Sequence, residues 1–113
     1  MVGLTYETEE DQGVLIFRLD GRLDATSSPQ LETTITQQID GGQKKILLDF
    51  GRVDYLSSAG MRLLLSLTRR LSKEEGKLAM CTINDDVMEI IKVAGFEKIL
   101  NIYPTEQEAL TSF

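Results

Sequence analysis

Asp49-Phe50-Gly51-Arg52-Val53-Asp54-Tyr55-Leu56-Ser57-Ser58-Ala59-Gly60-Met61-Arg62-Leu63-Leu64-Leu65 is the stretch on which the reading of this chain turns. An apolar strand, Lys45 to Asp49, runs into it with Ile46, Leu47 and Leu48 in a row, as in a parallel strand buried on both faces. A short polar loop is expected next, and then two adjacent serines opening a leucine-rich helix that ends near Glu74. A helix N-terminus has unpaired N–H groups and a partial positive charge, so it favours an anion. A serine there is either a plain cap or a place where a kinase can deposit a phosphate. The sequence leaves both roles open for Ser57 and Ser58.

Working outward, Leu4 to Glu9 and Val14 to Leu19 read as two strands joined by the polar turn Glu10-Asp11-Gln12-Gly13. The second strand is apolar on both sides, which places it centrally in a sheet. Gly21-Arg22-Leu23-Asp24 reads as its exit loop. Ser28-Pro29 suggests an N-cap followed by proline at the first helical position. Leu31, Ile35 and Ile39 then mark an amphipathic helix that stops at Gly41-Gly42. Lys77 to Ile83 reads as another buried strand. Asn84 or Asp85 caps a helix through Ala94, and Gly95 stops it. A short strand is expected at Ile99 to Ile102. Thr105-Glu106-Gln107-Glu108 has the form of a capping box before a last helix, with Ala109, Leu110 and Phe113 as its apolar side. The order ββαβαβαβα predicts one α/β domain over residues 1–113. Its mostly parallel sheet of about five strands is covered by helices, and the opening hairpin adds an antiparallel or edge element. Leu47, Leu64, Ile91 and Ile16 are the expected core.

Composition removes whole classes of function. The chain has 113 residues, one cysteine and no histidine. Ser-His-Asp catalysis, histidine acid–base work and histidine or multi-thiolate metal sites are therefore excluded. No cofactor is expected. The net charge of −6 argues against a general nucleic-acid binder. No apolar run approaches the roughly 20 residues of a membrane span. The acidic start, Met1 to Glu10, lacks the pattern of a secretory signal. Cys81, in the apolar run Leu78-Ala79-Met80, is expected to be a buried structural thiol in a cytoplasmic protein. Phosphate-binding loops of the G-x-x-x-x-G-K-[ST] or G-x-G-x-x-G kind are missing, which weakens a nucleotide-binding reading. On the helix after the serines, Arg62, Ser66, Arg69, Arg70 and Lys73 share one face. It is either a solvated face or a docking face for an acidic partner.

Three segments carry a resemblance. Gly21-Arg22-Leu23-Asp24-Ala25 looks like a G-x-[LI]-D loop after a second strand. Asp49 to Gly60 is similar to a D-L-x-x-V-x-[FY]-[IM]-D-S-[SA]-G run. Val93-Ala94-Gly95-Phe96-Glu97-Lys98-Ile99 and Glu108-Ala109-Leu110 match a C-terminal pattern. Together they resemble the STAS domain over essentially the whole chain, and within it the bacterial anti-sigma factor antagonists (anti-anti-sigma factors). The resemblance implies that the protein is not an enzyme but the substrate in partner switching. The unphosphorylated form would bind an anti-sigma factor that is also a serine kinase of the histidine-kinase-like ATPase fold, freeing the sigma factor. Phosphorylation would end the complex, and a PP2C-type phosphatase would reset it. By alignment the acceptor is Ser58. Ser57 stands where the family most often has aspartate, and it is the rival acceptor. The partner-binding set carried over is Asp24, Tyr55, Ser57, Ser58, Ala59, Gly60, Met61 and Arg62. The other reading open to such a domain is a phosphorylation-independent scaffold or accessory subunit, in which Ser58 only caps the helix.

Overall fold

Alternating strands and helices fold here into one five-stranded sheet with four helices, and the computed structural model describes residues 3–113. Met1 and Val2, the first residues of the expected domain and of the acidic start, lie outside the described residues. Strands β1 (Leu4–Asp11) and β2 (Val14–Leu23) form an antiparallel hairpin. Its two-residue loop, Gln12-Gly13, has both φ angles positive, at 55° and 81°. That backbone twist matches the right-handed twist of the flanking strands. Helix α1 (Ser27–Asp40), strand β3 (Lys45–Leu56), helix α2 (Ser58–Lys73), strand β4 (Lys77–Cys81), helix α3 (Asp85–Val93), strand β5 (Ile102–Tyr103) and helix α4 (Glu106–Thr111) follow.

The sheet order is β1-β2-β3-β4-β5, parallel from β2 onward. Parallel crossovers take one hand, so strands added in one direction put their helices on one face. Accordingly α1, α2 and α3 cover one side, where Leu31, Ile35, Leu64, Leu71, Val87 and Ile91 pack on Phe17, Ile46, Leu48 and Phe50. Only α4 covers the other side, laying Ala109 and Leu110 over Val14, Ile16, Leu47, Ala79 and Cys81. All four expected core residues, Ile16, Leu47, Leu64 and Ile91, are 0% exposed. Cys81 is buried as expected, and burial raises its thiol pKa. The strand order never reverses. The sheet therefore has none of the switch-point crevices in which doubly wound α/β proteins hold their ligands.

Four local expectations are corrected. The polar loop after Asp49 does not exist: β3 stays extended to Leu56, because β2 also runs on to Leu23 and the two pair down to Leu23–Leu56. Register shifts between Arg18 and Asp20 and between Gly21 and Arg22 let the ladder continue past its polar residues. Gly21 serves this irregularity at φ 120°, where a Cβ would lie 2.3 Å from the Gly3 carbonyl oxygen. Second, α1 begins before Ser28, with Thr26 at its N-cap position and no side-chain cap bond there. The Asp24 carboxylate does the capping instead, accepting the N–H groups of Thr26 and Ser27 at 3.0 Å each. Third, the last strand is Ile102–Tyr103 rather than Ile99 to Ile102, and Ile99 is 46% exposed. It pairs at Met80–Ile102, beyond a turn that closes on Phe96. Fourth, the capping box is half made: the Thr105 hydroxyl accepts the Glu108 N–H at 3.1 Å.

Candidate functional site

The carboxyl ends of β2 and β3 lie side by side, and the site grows from that pairing. Arg22 stands opposite Tyr55 and Leu23 opposite Leu56. The next amide continues the ladder, with Ser57 N–H donating to the Leu23 carbonyl at 2.9 Å. The chain then turns into α2. Ser57 is extended (φ −90°, ψ 173°), and its hydroxyl oxygen accepts the Gly60 N–H at 3.2 Å. That is an N-cap, and it satisfies one of the donors that every helix start leaves unpaired. Ser58 is the first helical residue. It is exposed, and its hydroxyl makes no hydrogen bond among the described residues.

Gly60 makes this geometry possible. A Cβ there would sit 2.8 Å from the Leu23 carbonyl oxygen and 2.7 Å from Leu56 Cδ1. Contacts that short force something to move. The first turn of α2 therefore lies almost against the end of β2, with Leu23 and Leu56 beneath it, both buried. Seen from solvent, the platform is buried and the Ser58 side chain stands out from it.

The other residues singled out from the sequence divide sharply. Asp24 belongs to the same corner, but its carboxylate is already used. Its Oδ1 holds the first amides of α1 and its Oδ2 lies 3.8 Å from Arg22. The Ser27 and Thr26 hydrogen bonds keep its pKa below the usual carboxylate value. Tyr55 is 37% exposed, with the Arg22 guanidinium 4.2 Å above its ring. Ala59 is half-buried and Arg62 exposed, so both can be touched from outside. Gly60 is buried, and Met61 is only 6% exposed. Leu56, at 2%, is core. Of the large apolar residues flanking the serines, only Tyr55 is therefore exposed, because the apolar side of α2 faces the sheet.

Residues from α3 take the vacant place. Ser58 and Met61 line an apolar hollow with Ile90, Val93 and Ala94, and Glu89 stands on its rim. Val93 is 79% exposed, the most exposed large apolar side chain described. Sequence reasoning took Val93-Ala94-Gly95 as a helix end and missed its place beside the serines. A signal was available: Ile91 faces the core, so Val93, two residues on, must point away from it. Arg22, which covers Tyr55, was also not singled out.

Chemically, the site offers one free hydroxyl at the positive end of a helix, a buried platform and an apolar rim. No acidic residue occupies the first turn of α2. Among the described residues no group of three histidine, cysteine, aspartate or glutamate side chains is placed to hold a metal ion. No described helix is long and apolar enough to cross a membrane.

Known proteins share the fold, and two relatives of over 30% identity share one kind of role. The STAS domain family model matches residues 5–109. BtrV of Bordetella bronchiseptica, classed as a candidate anti-sigma factor antagonist, is 34% identical, over 89% of this chain and 87% of that protein. The anti-sigma F factor antagonist of Paenibacillus polymyxa is 31% identical, over 97% of this chain and 95% of that one. The crystal structure of an anti-sigma factor antagonist from Mycobacterium paratuberculosis superposes with a TM-score of 0.86. It is 26% identical, over 96% of this chain and 92% of the other.

Proposed function

This chain belongs to the STAS domain family, and from that premise we propose that it is an anti-sigma factor antagonist switched by phosphorylation of Ser58. Its relatives of over 30% identity carry the antagonist role in their names. The unphosphorylated protein binds an anti-sigma factor that is also a serine kinase of the histidine-kinase-like ATPase fold, and so frees a sigma factor in the cytoplasm. Transfer of a phosphoryl group to Ser58 ends the complex. A PP2C-type phosphatase removes it.

The observation that carries this reading is the unequal use of two neighbouring hydroxyls. Ser57 Oγ is engaged as the cap, whereas Ser58 is exposed and unbonded. This supports Ser58 as acceptor and gives Ser57 a structural task. A phosphate adds about −1.5 to −2 charges at neutral pH. At the start of α2 the helix dipole and free amides favour it, so the fold need not change. At an interface the balance reverses. The hollow of Met61, Ile90 and Val93 lies against Ser58, so a partner seated there must strip water from the dianion. A penalty of about 3–4 kcal/mol would weaken the complex by some hundredfold or more.

Incubation of wild type, Ser57→Ala and Ser58→Ala with the cognate kinase and ATP, followed by intact-mass measurement, tests the assignment. One phosphoryl group is expected on wild type and Ser57→Ala and none on Ser58→Ala. Phosphorylated Ser58→Ala would transfer the role to Ser57. Absence of phosphate from all three would favour a phosphorylation-independent scaffold.

A further inference from the structure

The outer face of α2 carries a charge pattern that reaches well beyond the switch corner, since only Arg62 of its cations belongs to the partner-binding set around Ser58. The sixteen residues of this helix include four of the chain's twelve basic side chains and none of its eighteen acidic ones. Arg70 is already paired, with Asp40 and, at 2.9 Å, with Glu74. Arg62, Arg69 and Lys73 are exposed and make no ion pair among the described residues. With Ser66 and the edge of Leu65 they line one shallow trough. From Arg62 to Lys73 the helix rises about 16 Å.

Ordinary helix electrostatics do not account for this face. A solvated face commonly pairs opposite signs four residues apart, whereas Arg69 and Lys73 are like charges at that spacing, which is mildly destabilising. The helix dipole favours cations in the last turn, which covers Lys73 and Arg70. Arg62 lies near the opposite, positive end, where a cation is disfavoured. A second cleft, lined by Ser28, Pro29, Glu32, Ala59, Arg62 and Ser66, joins Arg62 to the turn that bears Ser58. The cationic stripe thus begins at the switch corner and runs away from it.

We propose that this stripe, Arg62, Arg69 and Lys73, docks an acidic segment of a protein partner whose carboxylates repeat along one helical face. Charge complementarity selects that occupant. Nucleic-acid binders commonly make about 6–10 phosphate contacts, whereas this face offers three free cations on a chain of net charge −6. An anionic membrane surface is held by clusters of about 4–8 cations or by a helix with exposed apolar side chains beside them, whereas this face has three free cations and on α2 Leu63, Leu64, Leu67 and Leu71 are buried. A row of carboxylates requires only what the face presents. The docking does not depend on which serine is phosphorylated.

The test uses the full chain, labelled with ¹⁵N, and a synthetic helical peptide with glutamates at spacings matching positions 62, 66, 69 and 73. A glutamine counterpart of the peptide is the control. The glutamate peptide should shift amides along residues 62–73, weaken in added salt, and lose about tenfold in affinity against an Arg62→Gln, Arg69→Gln, Lys73→Gln triple variant. These side chains are exposed, so the variant should keep its melting temperature, and Arg62→Gln alone provides a milder second arm. Equal affinity for wild type and triple variant, or shifts mapping elsewhere, would overturn the proposal. So would duplex DNA or phosphatidylserine vesicles binding the same residues more tightly than the peptide.

Discussion

Two serine pairs open two neighbouring helices, and the fold uses them in opposite ways. Ser27-Ser28 begins α1 after β2, and Ser57-Ser58 begins α2 after β3. In the first pair both side chains are buried, at 6% and 3% exposure. Ser27 Oγ accepts the Asp24 N–H at 3.0 Å and donates to the Arg22 carbonyl at 2.7 Å. In the second pair one hydroxyl caps the helix and the next stands in solvent. The cause lies upstream. Asp24 supplies a carboxylate that caps α1 and draws the chain inward. Before α2 the residue at the same offset is Asp54, but it is held in strand β3 and bonds no amide of α2 among the described residues, so Ser57 caps and Ser58 is left over. An exposed free hydroxyl at the start of α2 is therefore what remains when its neighbour performs the structural task.

Ser27→Ala should have the largest effect. It removes a buried hydroxyl that joins the end of β2 to the start of α1 and leaves the Asp24 amide and Arg22 carbonyl without that partner. A loss of about 2 kcal/mol in urea unfolding is expected. A loss below about 0.5 kcal/mol would show that the α1 corner is no more interlocked than the α2 corner. Ser57→Ala comes next, at about 1 kcal/mol, the usual worth of an N-cap. If it proved harmless, the cap would not be what sets Ser57 apart from Ser58.

Acid should separate the two corners by a smaller effect. The Asp24 pKa is lowered by its hydrogen bonds to the start of α1. A depressed carboxylate stabilises the fold above its unfolded value, 3.8, and the contribution fades as pH falls through the lower folded value. The cap of α2 is a hydroxyl and does not titrate in this range. Amide resonances of Thr26 and Ser27 should therefore move with a midpoint below 3.8, while Gly60 stays still. Parallel movement of all three would mean that the corners share one acid-sensitive element.

Much of this was legible in the sequence. The apolar triple Ile46-Leu47-Leu48 and the four-residue steps Leu31, Ile35, Ile39 marked a buried strand and an amphipathic helix, because burial imposes those periods. The extended run from Gly51 to Leu56 was not legible. Its glycine, arginine and aspartate read as a loop, and only pairing with the equally polar end of β2 keeps it in the sheet. Arg18 was hidden for a similar reason. It lies in a strand read as apolar on both sides, whereas it gathers Glu9, Asp49 and Glu106 from three other elements. Contacts between elements distant in sequence leave no local period. In the candidate site the serines and Asp24 were legible, but the division of labour between the serines was not, since it depends on which hydroxyl meets the Gly60 amide.

The smallest expected change in stability carries the most meaning. Ser58→Ala removes a hydroxyl that caps nothing and keeps the best helix former in its place. Its unfolding free energy should stay within about 0.5 kcal/mol of wild type. Ser58→Asp should be neutral or slightly stabilising, by about 0.3–1 kcal/mol, because a carboxylate in the first turn suits the positive end of the helix. Both changes should nevertheless alter partner binding. Alanine leaves the binding form permanently unphosphorylated. Aspartate adds one charge, less than a phosphate, and should weaken the kinase complex only in part. Paired measurements of unfolding and of kinase affinity would thus show function and stability moving independently at one residue. If Ser58→Ala instead cost 1 kcal/mol or more, on the order of a lost cap, Ser58 would be a structural serine like Ser27, and the contrast between the two helix starts would fail.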